Sequence, residues 1–239
     1  MASIENRIEK IKELSLHALP QDIAGMFIFG SYARDDSKPG HSDLNILIVL
    51  DNCGEKELIR LSALQKKAGR NFSILAMTEK FLKSSLDTFP VEILDFKLFH
   101  KLIHGNDVFA ELEISPEFLR IQCERELKGK LNLLRQVFIS SGFNERQLIS
   151  FLKDHLPAIA AVFQGILYLK GIQIPAARIE LIKKTGEIYT VQAKLTESLV
   201  QIAGTGKLSL SHNISNTYFS LIDGLENLAD QIDQMETAV

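Results

Sequence analysis

The sequence predicts an α/β or α+β unit in its first half and an all-helical unit in its second. Three observations carry this. Short apolar runs alternate with amphipathic helical patterns up to about residue 102. From Ser115-Pro116 onward only helical patterns remain. The 239 residues are 46% apolar and 24% charged, enough for one large or two small packed domains.

Ile4, Ile8, Ile11, Leu14 and Leu16 recur near helical spacing, and Pro20 ends that helix. Gly25-Met26-Phe27-Ile28-Phe29-Gly30 is an apolar run between glycines. Its aromatic and branched side chains favour a buried strand. Gly30-Ser31 then turns the chain into a short helix with Tyr32, Ala33 and Arg34. Residues 35–42 are polar and hold Pro39-Gly40, a turn signal. Residues 44–50 are the most apolar run of this half and predict a central strand. Residues 55–69 predict an amphipathic helix with Leu58, Leu61, Leu64 and Ala68 on one face. Residues 71–77 predict a third strand, with Thr78-Glu79 as N-cap and first turn of the next helix. Helices are expected over 79–86 and about 91–102.

In the second half, Ser115 is placed to cap a helix with Pro116 at its first position. Leu119, Cys123, Leu127, Leu131 and Leu134 predict one long helix over 118–140, closed by Ser140-Ser141-Gly142. A second over 144–168 carries Leu148, Leu152, Ile159 and Phe163, with Pro157 as its expected kink. Pro175 opens a third to about residue 184, ended by Gly186. Residues 191–202 and 211–235 are helical too, separated by Gly204-Thr205-Gly206. The boundary falls near 112–115, giving domains 1–113 and 114–239.

The formal net charge is -3 and the pI about 6.1, so no global pull on nucleic acid or an anionic membrane follows. Cys53 and Cys123 lie far apart and give no metal spacing or disulfide framework. Cys123 falls on an apolar helical stripe, as a small core residue does. The start of the chain has no apolar run of signal-peptide type. No stretch reaches the ~18 apolar residues of a membrane span. A cytoplasmic protein with no membrane partner is expected.

One stretch is more specific. Met26-Phe27-Ile28-Phe29 runs into Gly30-Ser31, eleven residues separate Ser31 from Asp43, and Asp43-Leu44-Asn45-Ile46 opens the next strand. This arrangement resembles the signature of the nucleotidyltransferase superfamily, which includes DNA polymerase beta, kanamycin nucleotidyltransferase and the minimal bacterial nucleotidyltransferases. The run from Ile103-His104-Gly105 to Phe109 is similar to the segment that closes the catalytic domain of the minimal enzymes. The resemblance implies an α+β domain with a mixed sheet, followed by an all-α bundle. In kanamycin nucleotidyltransferase-type proteins such a bundle supplies the acceptor pocket; here the likeness is one of layout alone.

In the family, three carboxylates hold two Mg²⁺ ions that bridge the nucleotide phosphates and activate the attacking hydroxyl. Two of the acids alternate on one strand, because residues i and i+2 share a face. The third comes from a neighbouring strand. Asp43 matches the first acid position, Asn45 holds the second, and Ser73 falls at the third. The strand of Ser73 has no Asp or Glu, and Glu79 lies past its end as a helix-start residue. Asp43, with Asn45 as a neutral donor, offers at most a weak metal site for one Mg²⁺ brought by a nucleotide. The general base for the attacking hydroxyl is missing as well.

Gly30, Ser31 and Arg34 remain as a nucleotide or phosphate site. Glycine lets a phosphate approach the backbone closely. The N–H groups that follow and the Ser31 hydroxyl can donate to an anion. Arg34 can add a charge-assisted hydrogen bond. A Gly-Ser pair alone is an ordinary turn; with Asp43 at this spacing between apolar strands it is a specific signal.

Other candidates are thinner. His100 and His104 fall i, i+4 at a predicted helix end, which suits a metal, but no third ligand accompanies them. Asp154-His155 lies mid-helix, with Arg146 too distant for an Arg-His ribonuclease pair. Glu124-Arg125-Glu126 and Lys128-Gly129-Lys130 read as a solvated helix face. Glu180 is a candidate base that nothing beside it supports.

Three functions compete. The first is a nucleotidyltransferase-like protein with a degenerate site, binding a nucleotide or phosphorylated small molecule or acting as a regulatory module. The second is an active metal-dependent enzyme transferring a nucleoside monophosphate to a small-molecule or protein hydroxyl. The third is a purely structural partner, such as half of an antitoxin-like pair. A protein partner or a homo-oligomer is compatible with the first and third. Asp43 with Gly30-Ser31 favours ligand binding over scaffold, and Asn45 and Ser73 favour both over the enzyme.

Overall fold

The computed structural model describes residues 4–20, 22–34, 43–142, 144–189, 193–205 and 214–235. The chain divides into two compact units: Met1–Leu86 with Ile93–Glu113, and Asp87–Glu92 with Ile114–Val239.

Up to Gly105 the chain runs α1 (Ile4–Ala18), β1 (Ile23–Phe29), a 3-10 turn (Gly30–Tyr32), β2 (Leu44–Leu50), α2 (Glu55–Ala68), β3 (Phe72–Thr78), α3 (Glu79–Ser84), α4 (Pro90–Leu98) and β4 (Lys101–Gly105), all in the first unit except the first turn of α4, which belongs with the second. The sheet order is β3-β2-β1-β4. β2 and β3 are parallel, whereas β1 is antiparallel to both β2 and β4, so the sheet is mixed.

Alternation along the strands sorts the two faces. Met26, Ile28, Leu44, Ile46, Ile48, Leu50 and Phe72 form one core cluster with Ile11 and Leu19 from the first helical segment and Leu61, Leu64 and Ala68 from α2. The opposite face carries Phe27 and Phe29, which meet Phe96, His100 and Phe109 edge to face. Burying these apolar sets is the main drive for the fold. Leu58, expected on the buried stripe of α2, is exposed. Thr78 caps α3 as its sequence position implies: its Oγ1 accepts from the Phe81 N–H at 3.0 Å.

The second unit is almost all helix: α5 (Pro116–Ser141), α6 (Glu145–Leu169), α7 (Arg178–Ile188), α8 (Ala193–Thr205) and α9 (Ile214–Asp233). Pro116 sits in the first turn of α5, and Gly142 closes that helix in the left-handed conformation. Leu119, Cys123, Leu127, Leu131 and Leu134 are buried along α5. Tyr218 of α9 is buried and donates its hydroxyl to the Leu134 carbonyl at 2.9 Å. Gln122, also buried, accepts from the Val91 N–H and donates to Glu92.

Several expectations are corrected. The helix forecast to about residue 102 stops at Leu98, and residues 101–105 form β4 against β1. Helical apolar spacing and a strand are indistinguishable over five residues, and the pairing with β1 is non-local. α7 begins at Arg178, three residues past Pro175, and continues through Gly186. A methyl at Gly186 would strike the Thr196 side chain, so this glycine serves a close helix approach rather than a stop. α8 likewise runs through Gly204. α6 continues through Pro157, which costs it one backbone donor. Residues 35–42, 191, 192, 206 and 211 lie outside the described residues. Among the described residues no helix is long and apolar enough to cross a membrane.

Candidate functional site

The antiparallel β1 and β2 bring the end of one strand beside the start of the other, with Phe29 opposite Asn45. Gly30 follows at φ +70°, a conformation that L side chains rarely adopt. A methyl there would also come within 2.6 Å of Asn45 Nδ2. Two constraints therefore demand glycine at one position: a left-handed backbone and the Asn45 amide against it.

Gly30, Ser31 and Tyr32 form a single 3-10 turn. Its hydrogen bonds run from the Ala33 and Arg34 N–H groups back to the Gly30 carbonyl, at 3.1 and 3.2 Å. The expected short helix is thus one tight turn. It presents the half-buried Ser31 and carries no helix dipole.

Arg34 is not a solvated charge. Only 9% of its side chain is exposed, and its guanidinium pairs with Asp95 of α4. The guanidinium also lies over the Phe99 ring, 3.9 Å from its centroid.

Asp43 is exposed immediately before β2. Asn45 is half-buried and Ser73 exposed, and the two are Cα partners across the parallel β2–β3 pair. The expected second and third acid positions are therefore neighbours in space, and both side chains are neutral.

Arg7 of α1 completes the rim. Its guanidinium donates to Tyr32 Oη at 3.2 Å and to the Asn71 carbonyl at 2.8 Å. The Leu44 N–H, next after Asp43, donates to that same carbonyl at 2.9 Å. One side chain thus ties α1 to the Gly-Ser turn and to the starts of β2 and β3. Sequence reasoning missed Arg7, Asp95 and Phe99. None carries a local signal, because each acts on a residue far along the chain.

The remaining candidates have structural partners. His100 lies beyond α4 and His104 on β4, so they do not share a helix face. His100 Nδ1 donates to the Phe96 carbonyl at 2.7 Å, and Nε2 lies 3.3 Å from Asp107. His155 Nδ1 donates to the Phe151 carbonyl at 2.9 Å and its ring stacks on Phe151. Glu180 is ion-paired with Lys183 at 2.8 Å. Glu124 is held below the usual carboxylate range, first by its hydrogen bond to Lys128 and further by Arg120. Among the described residues no group of three His, Cys, Asp or Glu could hold a metal ion. An open groove lined by Leu50, Asp51, Glu79, Lys80, Lys83 and Ser84 lies at the other end of β2 and β3 from Gly30.

Residues 6–101 match a family model described as a nucleotidyltransferase domain. Among solved structures, the spectinomycin adenyltransferase AAD(9) from Enterococcus faecialis, crystallised with ATP and spectinomycin, aligns with a TM-score of 0.55. That alignment has 14% identity and covers 94% of this chain and 100% of that chain, which establishes a shared fold. Comparison with curated proteins finds no match.

Proposed function

For a chain whose residues 6–101 form a domain of the nucleotidyltransferase superfamily, we propose a nucleotide- or phosphate-binding protein that does not transfer nucleotides efficiently. The Gly30–Ser31 turn takes the phosphates, and the protein acts through the bound ligand as a regulatory or interaction module in the cytoplasm. Domains 1–113 and 114–239 divide the work, the first holding the phosphate site and the second offering the surface for an acceptor or a partner.

One observation carries this reading: Asn45 and Ser73 stand side by side where the family pattern calls for two carboxylates. The donor set does not fit a pair of divalent cations. A lone Asp43 leaves the repulsion between two such ions uncompensated, and the neutral carbonyl of Asn45 offsets none of it. At most one Mg²⁺, arriving with a nucleotide, is compatible with Asp43 and Asn45. The neighbour crystallised with ATP and spectinomycin supports a nucleotide and a small molecule as the ligand class.

A second reading, an active nucleotidyltransferase, is favoured by the exposed Asp43 kept beside the Gly-Ser turn. A transfer assay separates them. Wild-type protein is expected to bind nucleoside triphosphate in calorimetry and to move little or no labelled nucleotide to a panel of acceptors. Ser31→Ala should weaken that binding by about 0.5–1.5 kcal/mol, the usual net value of one hydrogen bond. Robust Mg²⁺-dependent transfer that disappears in Asp43→Ala would establish the active enzyme instead.

A further inference from the structure

We propose that Asp95 occupies the anion position beside Arg34 and so sets which ligands the Gly30–Ser31 turn accepts; this rests on the phosphate-binding reading above. A guanidinium with 9% exposure needs a counter-charge. Asp95 supplies it from α4, and Phe99, four residues on, stacks against the guanidinium at 3.9 Å. The same arginine is tethered to the turn, since its backbone N–H donates to the Gly30 carbonyl at 3.2 Å. An anion reaching Gly30–Ser31 therefore meets an arginine that is already neutralised.

The consequence is selective. A single phosphate competing for Arg34 must displace a carboxylate that is held in place by the helix, and gains little over it. An oligophosphate can leave one phosphate on the turn and bring a second, more highly charged, group to Arg34. Asp95, 23% exposed, is open enough to solvent to yield to such a ligand. Asp95 thus acts through Arg34 as a specificity-determining residue, against monophosphates and in favour of di- and triphosphates.

Calorimetry with orthophosphate and tripolyphosphate on five proteins tests this: wild type, Asp95→Asn, Asp95→Glu, Asp95→Asn with Arg34→Met, and Ser31→Ala. Asp95→Asn should bind orthophosphate roughly tenfold tighter than wild type, with a smaller gain for tripolyphosphate. Asp95→Glu, which keeps the charge, should stay near wild type. Arg34→Met should erase the gain made by Asp95→Asn, since the two residues act as one unit. If Asp95→Asn melts too early for calorimetry, the phosphate-induced rise in Tm is compared instead. A larger rise in the variant supports the proposal, and an equal rise overturns it. Unchanged or weaker anion binding by Asp95→Asn, with Ser31→Ala still impaired, overturns the role of Asp95 and leaves the turn standing. No anion binding by any of the five, or full binding by Ser31→Ala, overturns the phosphate site itself.

Discussion

Asn45 of β2 and Ser73 of β3 are Cα partners across a parallel strand pair, one half-buried and one exposed, and neither carries a charge. Around them lie the strand pair, the Gly-Ser turn and Asp43 at the strand start. What the strand pair displays at the two paired positions is an amide and a hydroxyl.

The first prediction concerns the turn. Gly30→Ala should destabilise the protein by about 1–3 kcal/mol, because the new side chain must hold a left-handed backbone. Adding Asn45→Ala removes the contact at 2.6 Å but not the backbone strain, so it should restore only part of the loss. Denaturant midpoints of the two variants measure this. A Gly30→Ala midpoint equal to wild type would show that the turn adopts another conformation.

The second concerns the exposed edge of the sheet. β3 is an outer strand, and Gln65 of α2 shields part of it. Its Nε2 donates to the Phe72 carbonyl at 2.8 Å and the Gly69 carbonyl at 3.3 Å, and its Oε1 accepts from the Ile74 N–H at 3.1 Å. Gln65→Ala should cost about 1–3 kcal/mol and leave those strand groups open to another chain. Melting curves should shift down, and sedimentation should show more self-association. An unchanged midpoint with an unchanged sedimentation profile would remove Gln65 from this role.

The third is a pH dependence in the helical unit. Burial pushes the Cys123 thiol up from 9.0 to about 12, and the Tyr218 hydroxyl from 10.0 to about 12. Both groups hold their protons more tightly in the folded state. Their contribution is therefore complete below the unfolded values, 9.0 and 10.0, and is lost as pH rises toward about 12. Stability measured by urea melts should fall from about pH 9 upward. Cys123→Ala should flatten the start of that fall, and an identical slope in the variant would assign it elsewhere.

The parts of the fold legible in the sequence are those with strong local chemistry. The apolar, β-branched run of β2 could be little but a buried strand, and Thr78, Pro116 and Gly142 mark helix ends by backbone rules alone. β4 was not legible: Lys101-Leu102-Ile103-His104-Gly105 shows no strand period, and its state is decided by pairing with β1. Gly186 looked like a stop, yet the nearness of Thr196 is a tertiary fact. The candidate site divides in the same way. Gly30, Ser31, Asp43, Asn45 and Ser73 follow from motif spacing and strand alternation. The partner of Arg34 does not, because Asp95 lies 61 residues along the chain on a helix whose packing fixes the contact.

Counting bound Mn²⁺ by electron paramagnetic resonance, with a non-transferable triphosphate analogue in excess, tests the role of Asn45 and Ser73 most directly. Wild-type protein should hold at most one ion per chain, weakly. Asn45→Asp with Ser73→Asp should place two carboxylates on adjacent strands near Asp43 and bind a second ion, with each single change doing less than the pair. Two tightly held ions on the wild-type protein, reduced by Asp43→Ala, would contradict a site emptied of its carboxylates.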